Sequence, residues 1–155
     1  MEQKVFLSAN EAVAYAAYRS GCAVATAYPG TPSTEILETV GKFRDKISCE
    51  WAVNEKVAVE VAIGASIVGR RAITAMKHVG LNVAMDPIMT YTYVGPLGGF
   101  VVVVADDPGM HSSQNEQDSR TLIRFARSLL LEPADSQEAY DMTRAAFEIS
   151  EKFAV

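Results

Sequence analysis

At 155 residues, with 49% hydrophobic and 21% charged side chains, the chain has the size and balance of one ordinary soluble domain, able to bury a core without disulfides or metals. A net charge of −5 disfavours bare nucleic acid or an anionic membrane surface as partner. Residues Met1 to Val5 lack a signal-peptide pattern, no apolar run approaches a membrane span, and Cys22 and Cys49 lack CxxC spacing; the reading is a cytoplasmic protein with two buried free thiols.

Short apolar runs alternate with helix-period segments, the pattern of an α/β fold with a mostly parallel sheet flanked by helices. Ser8 with Glu11 forms a capping box, and an Ala/Tyr-rich helix follows until Gly21. Ala23 to Ala27 reads as a buried strand. Tyr28, Pro29 and Gly30 then turn the chain, and Thr31 as N-cap with Pro32 at the first helical position predicts a second helix. Ile47 to Trp51 is a short strand, Asn54 an N-cap, and Glu55 to Val68 a helix. That helix is apolar almost all round, with valines and isoleucines interleaved with Ala58, Ala62, Gly64 and Ala65. Such a helix needs cover on every side: either another subunit or domain packs on it, or it is sandwiched within the monomer. Arg71 to Met76 and Gly99 to Ala105 are further strands, the second with four consecutive valines as expected of a strand buried on both faces. Leu129 to Leu131 reads as the last clear strand before Asp135 and Glu138 cap a final helix reaching about Lys152. Phe153 to Val155 looks like the start of one more strand. Domains usually close at exposed polar positions, so the reading is one domain over residues 1–155, cut at its C-terminal end from a larger subunit.

Four polar segments follow predicted strands: Tyr28 to Thr34, Trp51 to Glu55, Lys77 to Asn82, and Asp106 to Asp118. In a parallel sheet they gather on the edge formed by the carboxyl ends of the strands, where open α/β folds bind ligands. The last is long enough to be either functional or disordered. Its Asp106, Asp107 and His111 could ligate a metal or merely populate a surface turn, and Ser112 or Ser113 beside His111 lacks the Gly-x-Ser-x-Gly elbow of a hydrolase. Dinucleotide and P-loop glycine motifs are absent. His78 has a structural and a ligand-contacting reading of similar weight. Glu55 also has two: a first-turn acid favoured by the helix dipole, or a functional carboxylate.

Taken together, Tyr28 to Glu35 (Tyr-Pro-Gly-Thr-Pro-Ser-Thr-Glu), Asn54 to Ala58 (Asn-Glu-Lys-Val-Ala), Met76 to Ala84 (Met-Lys-His-Val-Gly-Leu-Asn-Val-Ala) and Val104 to Asp118 resemble the alpha subunit of the indolepyruvate branch of the 2-oxoacid:ferredoxin oxidoreductases. The likeness runs through nearly the whole chain in the same order. The Tyr-Pro-x-Thr-Pro-Ser turn is shared across that wider family, whereas the segments around His78 and from His111 to Gln117 are particular to the branch. The resemblance implies the pyrimidine-binding (Pyr) module of a thiamine diphosphate enzyme of anaerobic metabolism. The whole enzyme would decarboxylate an aryl 2-oxoacid, pass electrons through iron–sulfur clusters to ferredoxin, and release the acyl group on CoA. It further implies that Glu55 meets N1′ of the aminopyrimidine, favouring the imino tautomer that deprotonates the thiazolium. Tyr28, Pro29 and Thr31 would lie beside the cofactor, with Thr31, His78 and Asn82 on the substrate side.

The Gly-Asp-Gly…Asn segment that holds magnesium and diphosphate, and the cysteine clusters of the full subunit, do not occur here, so no metal ligands are assigned to this chain. Those parts would come from the remaining domains of the same subunit and from a second subunit. The isolated chain is expected to be inactive, to bind thiamine diphosphate weakly or not at all, and to self-associate through the 55–68 helix. Another 2-oxoacid substrate, or an inert interaction module of the same fold, are the alternatives.

Overall fold

Strand-forming runs at Val24–Ala27 (β1), Ser48–Trp51 (β2), Ala72–Lys77 (β3) and Phe100–Ala105 (β4) assemble into one parallel sheet, in a computed structural model that describes residues 4–155. The order is β2-β1-β3-β4, with Ala27 paired to Trp51 and Ala75, and Lys77 to Ala105. Helices α1 (Ala9–Arg19), α2 (Thr34–Val40), α3 (Glu55–Ile67), α4 (His78–Val94), α5 (Ser119–Phe125) and α6 (Ser136–Phe153) connect and flank the strands. Side-chain alternation along the strands divides the core in two. Ala25, Ala27, Ile73 and Ala75 join Ile36, Val40 and Phe147 on one face; Met76 joins Val59, Leu81, Ala84, Ile88 and Ile123 on the other. Burial of a residue such as Ile73 or Leu81 contributes about 1.5–3 kcal/mol. No helix among the described residues is long and apolar enough to cross a membrane.

The capping box at Ser8 and Glu11 forms with both hydrogen bonds, and Asn54 and Asp135 cap α3 and α6 through Val57 N–H and Glu138 N–H. Elsewhere the structure departs from the sequence reading. α2 starts at Thr34 rather than Pro32, because Gly30 is closed into a turn: Ser33 donates from N–H and hydroxyl to Gly30 O, and Gly30 N–H donates to Thr34 Oγ1. Lys77 to Asn82 is not a loop, since α4 begins at His78 directly after β3. Leu129 to Leu131 pairs with nothing; it lies along an apolar groove of about 390 Å³ beside the outer edge of β4, with Phe100, Val102, Ile123 and Met142. β4 is therefore an edge strand, half-buried throughout rather than buried on both faces.

Phe153 to Val155 is not a strand either. Phe153 ends α6, Ala154 is left-handed, and the chain folds back so that Ser150 Oγ donates to Val155 O at 2.6 Å. Cys22 is buried, and burial pushes its thiol up to about 12; Cys49 is only half-buried. The α3 helix, which ends at Ile67 with Val68 as its C-cap, buries Ala58, Val59, Ala62 and Ser66 but leaves Val61, Ile67 and the capping Val68 exposed, so within this chain it is not sandwiched.

Candidate functional site

The site forms where β1, β3 and β4 end, and the first turn of α4 is its hub. β3 delivers Lys77 as its last residue, and α4 begins without any side-chain cap. The stem of Lys77 packs on Gly30 of the turn after β1, so closely that a Cβ at Gly30 would sit 2.9 Å from Lys77 Cδ. Its ammonium donates to Ser112 O at 2.6 Å, bridging that turn to the loop after β4.

Glu55 opens α3, which is held against β1 by a buried hydrogen bond of 2.7 Å from Thr26 Oγ1 to Ala58 O. Glu55 is 8% exposed and its carboxylate lies against Gly80. A Cβ at Gly80 would approach Glu55 Oε1 to 2.6 Å, so only glycine leaves room for the acid where it stands. Among the described residues no side chain or N–H donates a hydrogen bond to this carboxylate within the chain. The buried side-chain atoms without a partner among the described residues are Thr74 Oγ1 and His78 Nδ1, so the Glu55 carboxylate oxygens keep some access at their tip and are free to take an external partner. The ring nitrogen of an aminopyrimidine fits this requirement: a flat heterocycle edge that can share one proton with a carboxyl.

Tyr28, Pro29 and Thr31 stand on the turn that Lys77 backs, all exposed. They form a solvent-facing rim, free to contact a ligand. His78 is fully buried, its Nε2 2.9 Å from Asn115 O. Facing a carbonyl, Nε2 must carry the proton, and Nδ1 is left buried without a partner. Asn82 is exposed and donates from Nδ2 to Gln117 Oε1 at 2.8 Å. The structure thus gathers Glu55, His78 and the turn after β1 around one helix start, with Asn82 one turn further on.

The Asp106 to Asp118 loop is ordered by its own acids. Asp106 accepts from Ser119 N–H and hydroxyl at 3.0 and 2.5 Å. Asp107 accepts from Ser112 N–H, His111 N–H and the Ser113 hydroxyl; those bonds, led by Ser112, hold its carboxyl down to about 2. Both acids are spent on building the loop, and Ser113 donates to Asp107 rather than to His111. No three His, Cys, Asp or Glu side chains among the described residues converge to hold a metal ion, so the side chains present do not fit magnesium or a cluster. Sequence reasoning missed Gly80, Lys77 and Gln117; the signal for Gly80 was a glycine four residues past a strand, which was read as loop chemistry.

Comparison with known proteins bears on this arrangement. Residues 15–155 match the family model described as pyruvate flavodoxin/ferredoxin oxidoreductase, thiamine diphosphate-binding. The chain is 52% identical over 157 residues to indolepyruvate oxidoreductase subunit IorA of Archaeoglobus fulgidus, covering 97% of this chain and 25% of that protein. The subunit of the same name from Pyrococcus horikoshii is 54% identical over 153 residues, covering 97% of this chain and 24% of the relative. Ketoisovalerate oxidoreductase subunit VorB of Methanothermobacter thermautotrophicus is 28% identical, over 93% of this chain and 43% of its own length. The chain therefore spans about a quarter of the first two relatives.

Among solved structures, the 2-oxoglutarate:ferredoxin oxidoreductase of Magnetococcus marinus superposes with a TM-score of 0.77 at 21% identity, covering 97% of this chain and 28% of that one. A thiamine diphosphate-dependent 4-hydroxybenzoylformate decarboxylase from Rhodococcus jostii gives 0.74 at 15% identity, over 94% of this chain and 28% of its own. At those identities the likeness establishes the fold.

Proposed function

The chain belongs to the thiamine diphosphate-binding family of pyruvate flavodoxin/ferredoxin oxidoreductases, and from that premise we propose that it is the pyrimidine-binding half of an indolepyruvate:ferredoxin oxidoreductase, a single module of a longer subunit. The observation that carries the reading is Glu55, a largely buried residue whose carboxylate is held against Gly80 with no hydrogen-bond donor from the described residues. Identity above one half to two IorA subunits supports the aryl substrate.

In this reading thiamine diphosphate supplies the carbanion stabilisation that no side chain offers. Glu55 would hydrogen-bond N1′ of the pyrimidine through its carboxyl and pass a proton at that atom, the role the resemblance gives it. Tyr28, Pro29 and Thr31 flank the cofactor, and Thr31, His78 and Asn82 are assigned to the substrate side. Magnesium and iron–sulfur clusters are assigned to the remaining domains and a second subunit of a cytoplasmic enzyme, since no three His, Cys, Asp or Glu side chains converge among the described residues, and the ferredoxin and CoA sites are assigned there with them. The exposed Val61, Ile67 and Val68 of α3 are assigned to an interface with a second copy or with those domains, because open apolar faces of this kind mark interaction surfaces.

The test is Glu55→Gln in the longer enzyme, read by oxoacid-dependent reduction of ferredoxin or a dye. The amide keeps the size and cannot exchange the proton, so turnover should fall by about 10²–10⁴-fold, the usual contribution of a positioned acid–base group. Retention of more than about a tenth of wild-type turnover, against that expectation, would leave Glu55 as a helix-start residue only.

A further inference from the structure

The end of β3 and the start of α4 carry three polar side chains, Lys77, His78 and the exposed Asn82, none of which hydrogen-bonds Glu55. Each of them reaches the same partner, the loop after β4. Lys77 Nζ holds Ser112 O at 2.6 Å, His78 Nε2 holds Asn115 O at 2.9 Å, and Asn82 Nδ2 holds Gln117 Oε1 at 2.8 Å. The contacts progress in register along the two segments, one bond for roughly every other loop residue from 112 to 117. Lys77 and His78 are buried and their bonds to the exposed Ser112 and Asn115 are partly so, which makes these two, one of them charged, the stronger pins. The loop itself is half-built already, because Asp106 and Asp107 bind Ser119, Ser112 and Ser113. What α4 adds is its placement over the helix start that also packs on Glu55 through Gly80.

We propose that His78 and Asn82 are positioning residues: they fix the 106–118 loop as one wall of the 2-oxoacid pocket and act on the substrate through that wall rather than by touching it. The inference rests on the function proposed above. A buried imidazole whose Nε2 is committed to a backbone carbonyl has no donor left for a substrate carboxylate. Asn82 spends one of its two amide N–H donors on Gln117, which fixes the orientation of its amide. Beside its remaining N–H, whose direct contact with substrate the test below separates, Thr31 and the loop's own exposed residues, His111, Gln114 and Glu116, are free to meet a substrate.

The test compares Asn82→Ala, Gln117→Ala and the double variant, with His78→Phe as the deeper break that keeps ring volume but removes the Nε2 donor. Two readouts are taken. Hydrogen exchange over residues 106–118 of this chain reports the wall, and steady-state kinetics of the longer enzyme with indolepyruvate report the pocket. Both single variants should speed exchange and raise KM by about fivefold, the factor a lost neutral hydrogen bond carries. The double variant should be no worse than Gln117→Ala alone, because that variant already removes the Asn82 bond together with the longer contacts of Gln117 Nε2 to His78 O and Ser119 Oγ, both 3.5 Å, and kcat should stay within about twofold, since the acid–base group is elsewhere.

Unchanged exchange in all three variants would overturn the proposal. So would a KM effect confined to Asn82→Ala with Gln117→Ala silent, which means that Asn82 meets the substrate itself. If His78→Phe fails to fold, the Asn82–Gln117 cycle decides alone. A wild-type enzyme without activity on any 2-oxoacid, with exchange still responding, overturns the assigned reaction instead and is told apart by that response.

Discussion

The geometry at Glu55 depends on an absence, the missing Cβ of Gly80. Gly80→Ala places a methyl group 2.6 Å from Glu55 Oε1 and Cγ. Overpacking of this size costs about 1–3 kcal/mol, at the low end here because a Glu side chain can swing away. Swinging away is the functional loss: a displacement of about 1 Å at a reacting group can cost about 10²-fold in rate. Gly80→Ala should therefore remain folded yet lose thiamine-dependent turnover. Adding Glu55→Asp, which shortens the acid, should restore the melting temperature without restoring turnover. A melt and an activity assay on each variant check this, and an active Gly80→Ala would show that the carboxylate position is not critical. Glu55, Tyr28 and Thr31 could be singled out in the sequence because they stand in recognisable motifs; the structure places Glu55 against Gly80 and the other two on the exposed turn after β1. Gly80 was not, because its role is steric and exists only once α3 and α4 are packed.

Among the elements, α1, β1, β2, α3, β3, β4 and α6 could be read from capping boxes and apolar runs. α4 could not, because Gly80 and Pro87 are residues that ordinarily interrupt a helix, and here tertiary packing of Leu81, Ala84 and Ile88 overrides them. Leu129 to Leu131 misled for the opposite reason: three leucines satisfy a strand pattern, but the groove beside β4 uses them as a wall. α6 is fixed to the sheet by a two-bond pair, Arg71 to Glu151, with both bonds at 2.7 Å and Gly99 N–H also donating to Glu151.

Arg71's hydrogen bonds, ahead of all other causes, hold the Glu151 carboxyl below its ordinary value of 4.5. A depressed folded value means that this stabilisation is complete above about pH 4.5 and fades as pH falls through the folded pKa. Both side chains are about a third exposed, so the pair contributes about 1 kcal/mol at most. Glu151→Gln should lower the melting temperature at neutral pH and flatten the acid side of the stability curve. Parallel acid titrations of the two proteins would exclude the idea. On α3, Ile63 faces the core beside Val59, so the exposed Val61 is the position that reads the interface. Val61→Glu should reduce self-association in sedimentation while leaving the fold intact; if the wild type is already a monomer, the face waits for another domain.

At the scale of the molecule, a parallel sheet brings four segments to one edge, and in the proposed function that edge is half of a coenzyme site. It would offer Glu55 to the pyrimidine, with a turn beside it and a strapped loop, while no three His, Cys, Asp or Glu side chains among the described residues gather for a metal. Binding of a doubly charged phosphate cofactor draws heavily on its phosphates, so the half-site alone should hold it poorly. The most direct measurement is calorimetric titration of this chain with thiamine diphosphate and magnesium, beside the same titration of the longer enzyme. The account predicts no detectable binding and no oxoacid-dependent reduction for the chain alone. In the longer enzyme it predicts saturable binding that Glu55→Gln weakens. Binding by the isolated chain at about micromolar Kd, or binding by the longer enzyme indifferent to Glu55→Gln, would contradict its assignment as the pyrimidine half of a divided site.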